Sequence, residues 1–306
     1  MNEILTALWP IFALLCVGHA IRRMGFPGDG FWEPAEKLIY FLLFPVLLIY
    51  KLSLADVGAV PIGEVALAVV LLLTAGTSLL VIVQWVKPMA NSSFTSVYQG
   101  GMRFNTYVGL AASAALFGDE GLAVAAVVMA VMVPLLNLLC VLIFSFYTRK
   151  EAGLLSVLLA LVKNPLIIAC VVGISLNISG VGLPWALASV AGLLSGIALP
   201  LGLLAVGAGL NLTALRKTSS SVIYSSAVKL LLFPCLMLVI CGLFVESVLV
   251  AQVLLMFSAL PTASTAYVLA RQLGGDAQLM AAIITGQILI SMATMPLVLT
   301  LFPAFL

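Results

Sequence analysis

Two short polar motifs interrupt stretches of this sequence that are otherwise apolar. The motif RFNT, Arg103 to Thr106, lies in an apolar run at about 92–117, and the motif PTAST, Pro261 to Thr265, lies in a run at about 247–271. Arginine carries a permanent positive charge and a planar fork of donors that suits a carboxylate. Proline interrupts a helix, and a helix that restarts after a break begins with free N–H groups. These residue types indicate an anion site built on two broken helices.

The surrounding sequence predicts an integral membrane protein. Its 306 residues are 64% hydrophobic and only 8% charged, and runs of about 20 apolar residues match a hydrocarbon core of about 30 Å. We predict ten spans, at roughly 4–21, 36–54, 64–86, 92–117, 121–147, 160–178, 183–212, 219–244, 247–271 and 277–302. The segment GLLSVLLALVK at 153–163 is interpreted as a helix that lies in the membrane interface.

The distribution of basic residues predicts the orientation. Only Lys51 falls in the loops on one side, whereas the loops after spans 1, 3, 5, 7 and 9 contain Arg22, Arg23, Lys37, Lys87, Arg149, Lys150, Lys163, Arg216, Lys217 and Arg271. By the positive-inside rule the second set is cytoplasmic, so both termini are expected outside the cytoplasm. The N-terminal run has its arginines after the apolar stretch, unlike a signal peptide, and is therefore interpreted as the first span.

The two halves of the chain resemble each other. Pro10, Gly18 and Pro45 recur at an offset of 155 as Pro165, Gly173 and Pro200, and FGDEGLAVAA at 117 aligns with GGDAQLMAAI at 274 at an offset of 157. A near-constant offset predicts two five-span repeats, at 1–150 and 151–306, of which the second is inverted because five is odd. Inverted repeats with interrupted helices are typical of secondary transporters, whose sites lie near the bilayer midplane.

The repeat places the two motifs at equivalent positions. At the offset of 157, Thr262 falls opposite Asn105, and both lie near the middle of their spans. Since neither break is tolerable against lipid, we expect them to face each other or a water-filled cavity. The half-helices that begin after each break direct positive dipole ends to the centre. The predicted substrate-binding residues are Arg103, Asn105, Thr106, Asn137, Pro261, Thr262, Ser264 and Thr265.

Several of these side chains have a second interpretation. Arg103 either contacts the substrate or pairs with carbonyls of the broken helix, and Lys229 either lines the anion pathway or extends to the cytoplasmic interface. Asn137 and Gln287 either line the site or join neighbouring helices. Gln287 and Lys229 are the candidates for ion coupling or for the pathway.

Other chemistry has little support in the sequence. No Asp or Glu lies deep in a span, so a carboxylate proton relay and a strong sodium ligand are missing. A single histidine and five cysteines without paired spacing predict no metal site, no cofactor, no disulfide framework and no enzyme active site. Basic residues between spans give no sign of nucleic-acid binding.

The chain resembles bacterial members of the auxin efflux carrier family. The most specific pieces are the Arg-x-Asn-Thr element in RFNTYVGLAASAALFGDEG and the Ala-Leu-Pro-Thr element in ALPTASTAYVLARQLGGDAQLMA; similarity extends over VPLLNLLCV, VKNPLIIACVVGISL and LPLGLLAVGAGL. The resemblance implies an all-α fold like that of bile-acid and sodium/proton exchangers, with spans 4 and 9 crossed in a transport domain formed by spans 3–5 and 8–10. Spans 1, 2, 6 and 7 would form a scaffold that often dimerises.

The function expected from residues and resemblance together is transport. Relatives carry carboxylates such as malate and malonate or the weak acid auxin, which agrees with an anion site at two half-helix ends. We expect a secondary active or facilitated transporter of small organic anions that works by alternating access, in the bacterial inner membrane, as a homodimer. The alternative is a sodium- or proton-coupled symporter of a bulkier or neutral solute.

Overall fold

The computed structural model describes residues 2–55, 60–148, 163–215 and 220–301. Every regular element in these ranges is helical, and they contain no strand. The predicted interface helix at 153–163 lies outside the described residues except for its last residue. The helices are α1 (Asn2–Arg23), α2 (Asp29–Leu38), α3 (Phe44–Leu54), α4 (Ile62–Val86), α5 (Asn91–Met102), α6 (Thr106–Thr148), α7 (Pro165–Ile178), α8 (Trp185–Ala208), α9 (Leu212–Leu215), α10 (Ser220–Ala227), α11 (Phe233–Phe244), α12 (Val248–Ala259), α13 (Thr265–Leu273) and α14 (Ala277–Leu301).

Seven segments in the described ranges are long and apolar enough to cross a membrane. They are Glu3–Arg23, Gly30–Leu54, Ile62–Val86, Asn91–Thr148, Trp185–Ala208, Ser220–Phe244 and Ala277–Leu301. The shorter apolar helices α7 and α12 coincide with parts of the predicted spans 160–178 and 247–271. Large apolar side chains such as Trp85 and Trp185 are exposed, as expected where lipid is the solvent. The protein is a multi-pass membrane protein, whereas the count of ten spans and the inverted repeat stay predictions.

Several helices change direction where the sequence requires it. Gly118 adopts φ 62° and ψ −148° inside α6, which divides that helix at the boundary predicted between spans 4 and 5. Pro45 and Pro234 follow the first residues of α3 and α11, and a π-helical turn precedes each, at Ile39–Leu43 and at Val228–Leu232. Proline has no N–H and clashes with the carbonyl four residues earlier, so the preceding turn widens.

The described residues pack into two compact units. The first unit covers Met1–Ile62, Tyr107–Ala130 and Leu159–Gly209, and therefore contains α1, α2, α3, α7, α8 and the N-terminal part of α6 after Thr106. Its helices pack closely through glycine. A Cβ at Gly18 of α1 would overlap the backbone oxygen of Leu204 in α8, and a Cβ at Gly207 would overlap that of Leu15. Small residues of this kind let helix backbones touch within a membrane.

The second unit covers Gly63–Thr106, Val131–Leu158 and Leu210–Leu306. Helix α14 packs on α5, α9, α10, α12 and α13 and is its central helix. Both predicted helix breaks fall in this unit. Because all the polar residues around the breaks also belong to it, the second unit carries the candidate site.

Candidate functional site

Both predicted interruptions are present as short non-helical segments between helices. Arg103 to Asn105 separate α5 from α6, with φ −72° and ψ 158° at Arg103. Leu260 to Ser264 separate α12 from α13, with φ −65° and ψ 145° at Leu260. Pro261 explains the second break, since it removes a backbone donor. The first break contains no proline and is shorter, three residues against five.

The two breaks are in direct contact. The N–H of Asn105 donates to the carbonyl of Pro261 at 2.8 Å, and the hydroxyl of Thr262 donates to the carbonyl of Gln99 at 3.3 Å. Asn105 is 1% exposed and Thr262 is fully buried. Backbone groups freed by one break are thus satisfied by the other, which is how irregular backbone is tolerated at membrane depth.

The two breaks, Arg103 to Asn105 and Leu260 to Ser264, together form what we call the crossing. Gln287 of α14 binds the crossing from one side. Its Nε2 donates to the carbonyl of Gly100 at 2.9 Å, and its Oε1 accepts from the N–H of Thr262 at 2.9 Å. Nε2 also lies 3.4 Å from the hydroxyl of Ser225, which donates to the carbonyl of Val97. The hydrogen bonds of this buried amide go to α5, α10 and the second break. Gln287 is therefore a positioning residue of the crossing.

Arg103 points to a different and more accessible side of the crossing. Its Nη1 donates to Oδ1 of Asn137 at 3.2 Å, and its Nη2 donates to the hydroxyl of Thr265 at 3.4 Å. No acidic side chain pairs with it among the residues that the structure describes. The guanidinium thus keeps its full charge and makes hydrogen bonds to neutral acceptors only.

The predicted residues fall into two groups by burial. The buried group holds the crossing together and consists of Asn105, Pro261 and Thr262. The accessible group is partly or fully exposed and consists of Arg103, Thr106, Asn137, Ser264 and Thr265. We call this second group the polar rim. The polar rim therefore has side chains at the surface, whereas the buried group has none.

The charge at the crossing comes from Arg103 more than from the helix ends. Two helices, α5 and α12, end here, and two, α6 and α13, begin here. The partial charges of two C-termini and two N-termini largely offset one another. The expected contribution of the helix N-termini is therefore smaller than the sequence indicates, and the expected contribution of Arg103 is the larger one, because the guanidinium has no acidic partner among the described residues.

Lys229 lies in the π-helical turn between α10 and α11. Its side chain is fully buried, and its Nζ has no hydrogen-bond partner among the described residues. The ring of Phe233 lies 5.3 Å from Nζ, a cation–π distance. The interpretation that this side chain extends to the interface is wrong, since no part of it reaches the surface of the protein.

Sequence reasoning missed two members of the crossing and one cavity. Gln99 and Ser225 lie in helices whose sequences otherwise predict ordinary apolar spans. The only sequence signal for their part in the crossing is that each is a polar residue within such a span. The first unit contains a cavity of about 530 Å³ with a mostly apolar lining. At this cavity Nζ of Lys51 pairs with Oδ1 of Asp119 at 2.7 Å, a contact between residues 68 apart that spacing does not reveal.

Metal and disulfide chemistry find no support in the part of the chain that is described. Its histidine, cysteine and acidic side chains form no group of three that could hold a metal ion. All five cysteines are free thiols, at Cys16, Cys140, Cys170, Cys235 and Cys241.

Comparison with known proteins agrees with this architecture. Residues 3–299 match the family described as membrane transport protein, which is the auxin efflux carrier family. No curated protein matches the chain. The family match covers nearly the whole sequence, including both breaks, the polar rim and Gln287. The chain therefore belongs to the auxin efflux carrier family of membrane transport proteins.

Proposed function

We propose that this protein is a secondary transporter of small organic anions, with the polar rim as its substrate site. The observation that carries the proposal is Arg103, a partly accessible cation with no acidic partner among the described residues. A buried or half-buried arginine in a membrane protein is costly unless it has a partner or a function. A substrate carboxylate would supply the missing negative charge.

The surrounding groups favour a carboxylate over other anions. The guanidinium offers paired donors in one plane, which match the two oxygens of a carboxylate. The hydroxyl of Thr265 lies within hydrogen-bond distance of Arg103, and Thr106 begins α6 while Ser264 directly precedes α13, so both stand near the positive ends of helix dipoles. Small mono- and dicarboxylates, such as malate, malonate and auxin-like acids, have this chemistry.

We propose alternating access as the mechanism. Buried hydrogen bonds within the second unit hold the crossing together. We therefore propose that the second unit moves with its substrate as one body. The proposed architecture is ten spans in two inverted five-helix repeats, with spans 1, 2, 6 and 7 as scaffold and spans 3–5 and 8–10 as transport domain. We also propose a bacterial inner-membrane location, both termini outside the cytoplasm, and a homodimer.

The test is binding and exchange by the purified full-length protein. Malate, malonate and indole-3-acetate are titrated calorimetrically, with the neutral diamide malonamide as a matched control for malonate. We expect at least one acid to bind and malonamide not to bind. In proteoliposomes, uptake of the bound acid should saturate and accelerate when the same acid is inside. Binding of none of the acids, or uptake that never saturates as in a channel, would contradict the proposal.

A further inference from the structure

The cavity in the first unit, of about 530 Å³, takes no part in the proposed transport site. Helices α1, α3, α6 and α8 form its wall, and every lining residue belongs to the first unit. The polar rim belongs entirely to the second unit. A cavity of this size lies within the range of small-molecule sites, about 300–1,000 Å³. It is therefore a candidate for a separate ligand.

The cavity is extended along α8. Its lining residues recur at helical spacing on that helix, from Gly192 through Gly196 and Pro200 to Leu203, over about 16 Å at about 1.5 Å per residue. The glycines leave space, since a Cβ at Gly196 would meet no atom within 4 Å. Leucine and alanine side chains of α1, α3 and α6 face the same space. This length and lining suit an alkyl chain.

The apolar part of the cavity offers little to a polar solute. The uncharged polar side chains in its lining are Tyr50 and Ser195. Ser195 already donates its hydroxyl hydrogen to the carbonyl of Ala191, at 2.6 Å within α8. A small polar acid in this space would lose its hydrogen bonds to water with few replacements, which is costly. The lining therefore favours an apolar ligand body.

The charged residues of the cavity lie at helix ends. Lys51 is in the last turn of α3, and Asp119 directly follows Gly118, where α6 changes direction. Both line the cavity, and their side chains are 30% and 69% exposed. These positions fall at the ends of the spans predicted at 36–54 and 92–117. The cavity thus combines an apolar interior with one positive and one negative charge at an accessible end.

The two charged side chains retain unused hydrogen-bonding capacity. Nζ of Lys51 donates to Oδ1 of Asp119 at 2.7 Å, and this is the one hydrogen bond that either side chain makes with the described residues. An ammonium has three donors, and a carboxylate has about four acceptor sites. A headgroup can therefore bind both residues without breaking their pair. The complementary headgroup has an anion for Lys51 and an ammonium for Asp119.

We propose that this cavity is a lipid site, which holds one acyl chain of a phospholipid whose headgroup contains a phosphate and a primary ammonium, as in phosphatidylethanolamine. The acyl chain occupies the apolar space along α8. The phosphate accepts a hydrogen bond from Lys51, and the ammonium donates one to Asp119. Positive and negative charges then alternate around the entrance. The site is separate from the polar rim, so its occupancy does not depend on whether organic acids bind there.

The experiment measures lipid binding to the full-length protein by native mass spectrometry after release from detergent micelles. Lysophosphatidylethanolamine is titrated in parallel with lysophosphatidylglycerol of the same acyl chain, which has the phosphate but lacks the ammonium. Gly196→Phe fills the cavity with a ring, and Asp119→Asn removes the negative charge. Gly242→Phe, in α11 of the second unit, is the matched control, because a Cβ at Gly242 also meets no atom within 4 Å.

We expect wild type and Gly242→Phe to bind lysophosphatidylethanolamine about fivefold more tightly than lysophosphatidylglycerol, which corresponds to the upper range for an exposed ion pair. Gly196→Phe should lose this site. Asp119→Asn should bind both lipids with equal affinity, and Lys51→Met should bind both more weakly than wild type. Thermal unfolding in detergent checks that each variant folds. If Gly196→Phe does not fold, the loss of headgroup preference in Asp119→Asn still tests the site.

Three results would overturn the lipid site. Equal binding by wild type and a folded Gly196→Phe would place the lipid on the outer surface of the helices rather than in the cavity. Equal affinity of wild type for the two lipids would show that Asp119 takes no part in recognition. Displacement of lysophosphatidylethanolamine by indole-3-acetate would assign the cavity to the transported anion instead.

Discussion

The guanidinium of Arg103 lies 3.2 Å from the amide oxygen of Asn137. This contact orients the arginine without neutralising it, since an amide oxygen accepts a hydrogen bond but carries no charge. A carboxylate at the same position would pair with the arginine instead. The identity of residue 137 therefore decides whether the positive charge is free for a substrate.

The variant Asn137→Asp tests this relationship. We expect it to lower malonate affinity by about tenfold or more, because the new carboxylate competes with the substrate for Arg103. Asn137→Ala is the matched control, which removes the hydrogen bond but adds no charge and should cost only a few-fold. Equal affinities of the Asp and Ala variants, measured by calorimetry, would show that the charge of Arg103 is not available to the anion.

The second prediction concerns the stability of the crossing. Gln287→Leu leaves the N–H of Thr262 and the carbonyl of Gly100 buried without a partner. Each unsatisfied group costs about 1–3 kcal/mol, so we expect a loss of about 3 kcal/mol in unfolding free energy. Gln252→Leu is the control, since Gln252 is half-buried on α12 and takes no part in the crossing. Similar thermal unfolding of both variants in detergent would contradict the role given to Gln287.

The third prediction concerns the first unit. Gly18→Ala would place a Cβ against the backbone oxygen of Leu204 and force α1 and α8 apart. We expect a loss of about 1–3 kcal/mol, the usual range for overpacking. Gly196→Ala in α8 is the control, because a Cβ there meets no atom within 4 Å. If Gly18→Ala unfolds at the wild-type temperature, close backbone contact between these helices is not required.

Much of this architecture follows from the sequence because its signals are local. Apolar length predicts the helices, and Pro261 and Gly118 mark changes of direction that their backbone chemistry requires. The alignment of the two halves predicts that the two breaks face each other, and Arg103 of one break lies 3.4 Å from the hydroxyl of Thr265, which follows the other. Their role as parts of one substrate site stays a prediction.

The remaining features depend on contacts between residues far apart in the chain. Gln287 lies 187 residues from Gly100, and no spacing rule links an intramembrane amide to a particular carbonyl at such a distance. The same limit applies to Lys229, which is buried and whose Nζ has no hydrogen-bond partner among the described residues. Burial of an amine depends on every helix packed around it. The four helix ends at the crossing also depend on the structure, because the two motifs predict where helices restart but not how the partial charges of all four ends combine.

The central claim is that Arg103 binds the substrate carboxylate, and malonate affinity of Arg103→Ala tests it most directly. We expect affinity to fall by about 30-fold or more, as for the loss of a charge-assisted pair of hydrogen bonds. Arg271→Ala, which removes an exposed arginine of α13, should bind as wild type does. A folded Arg103→Ala protein that binds malonate with wild-type affinity would contradict the account.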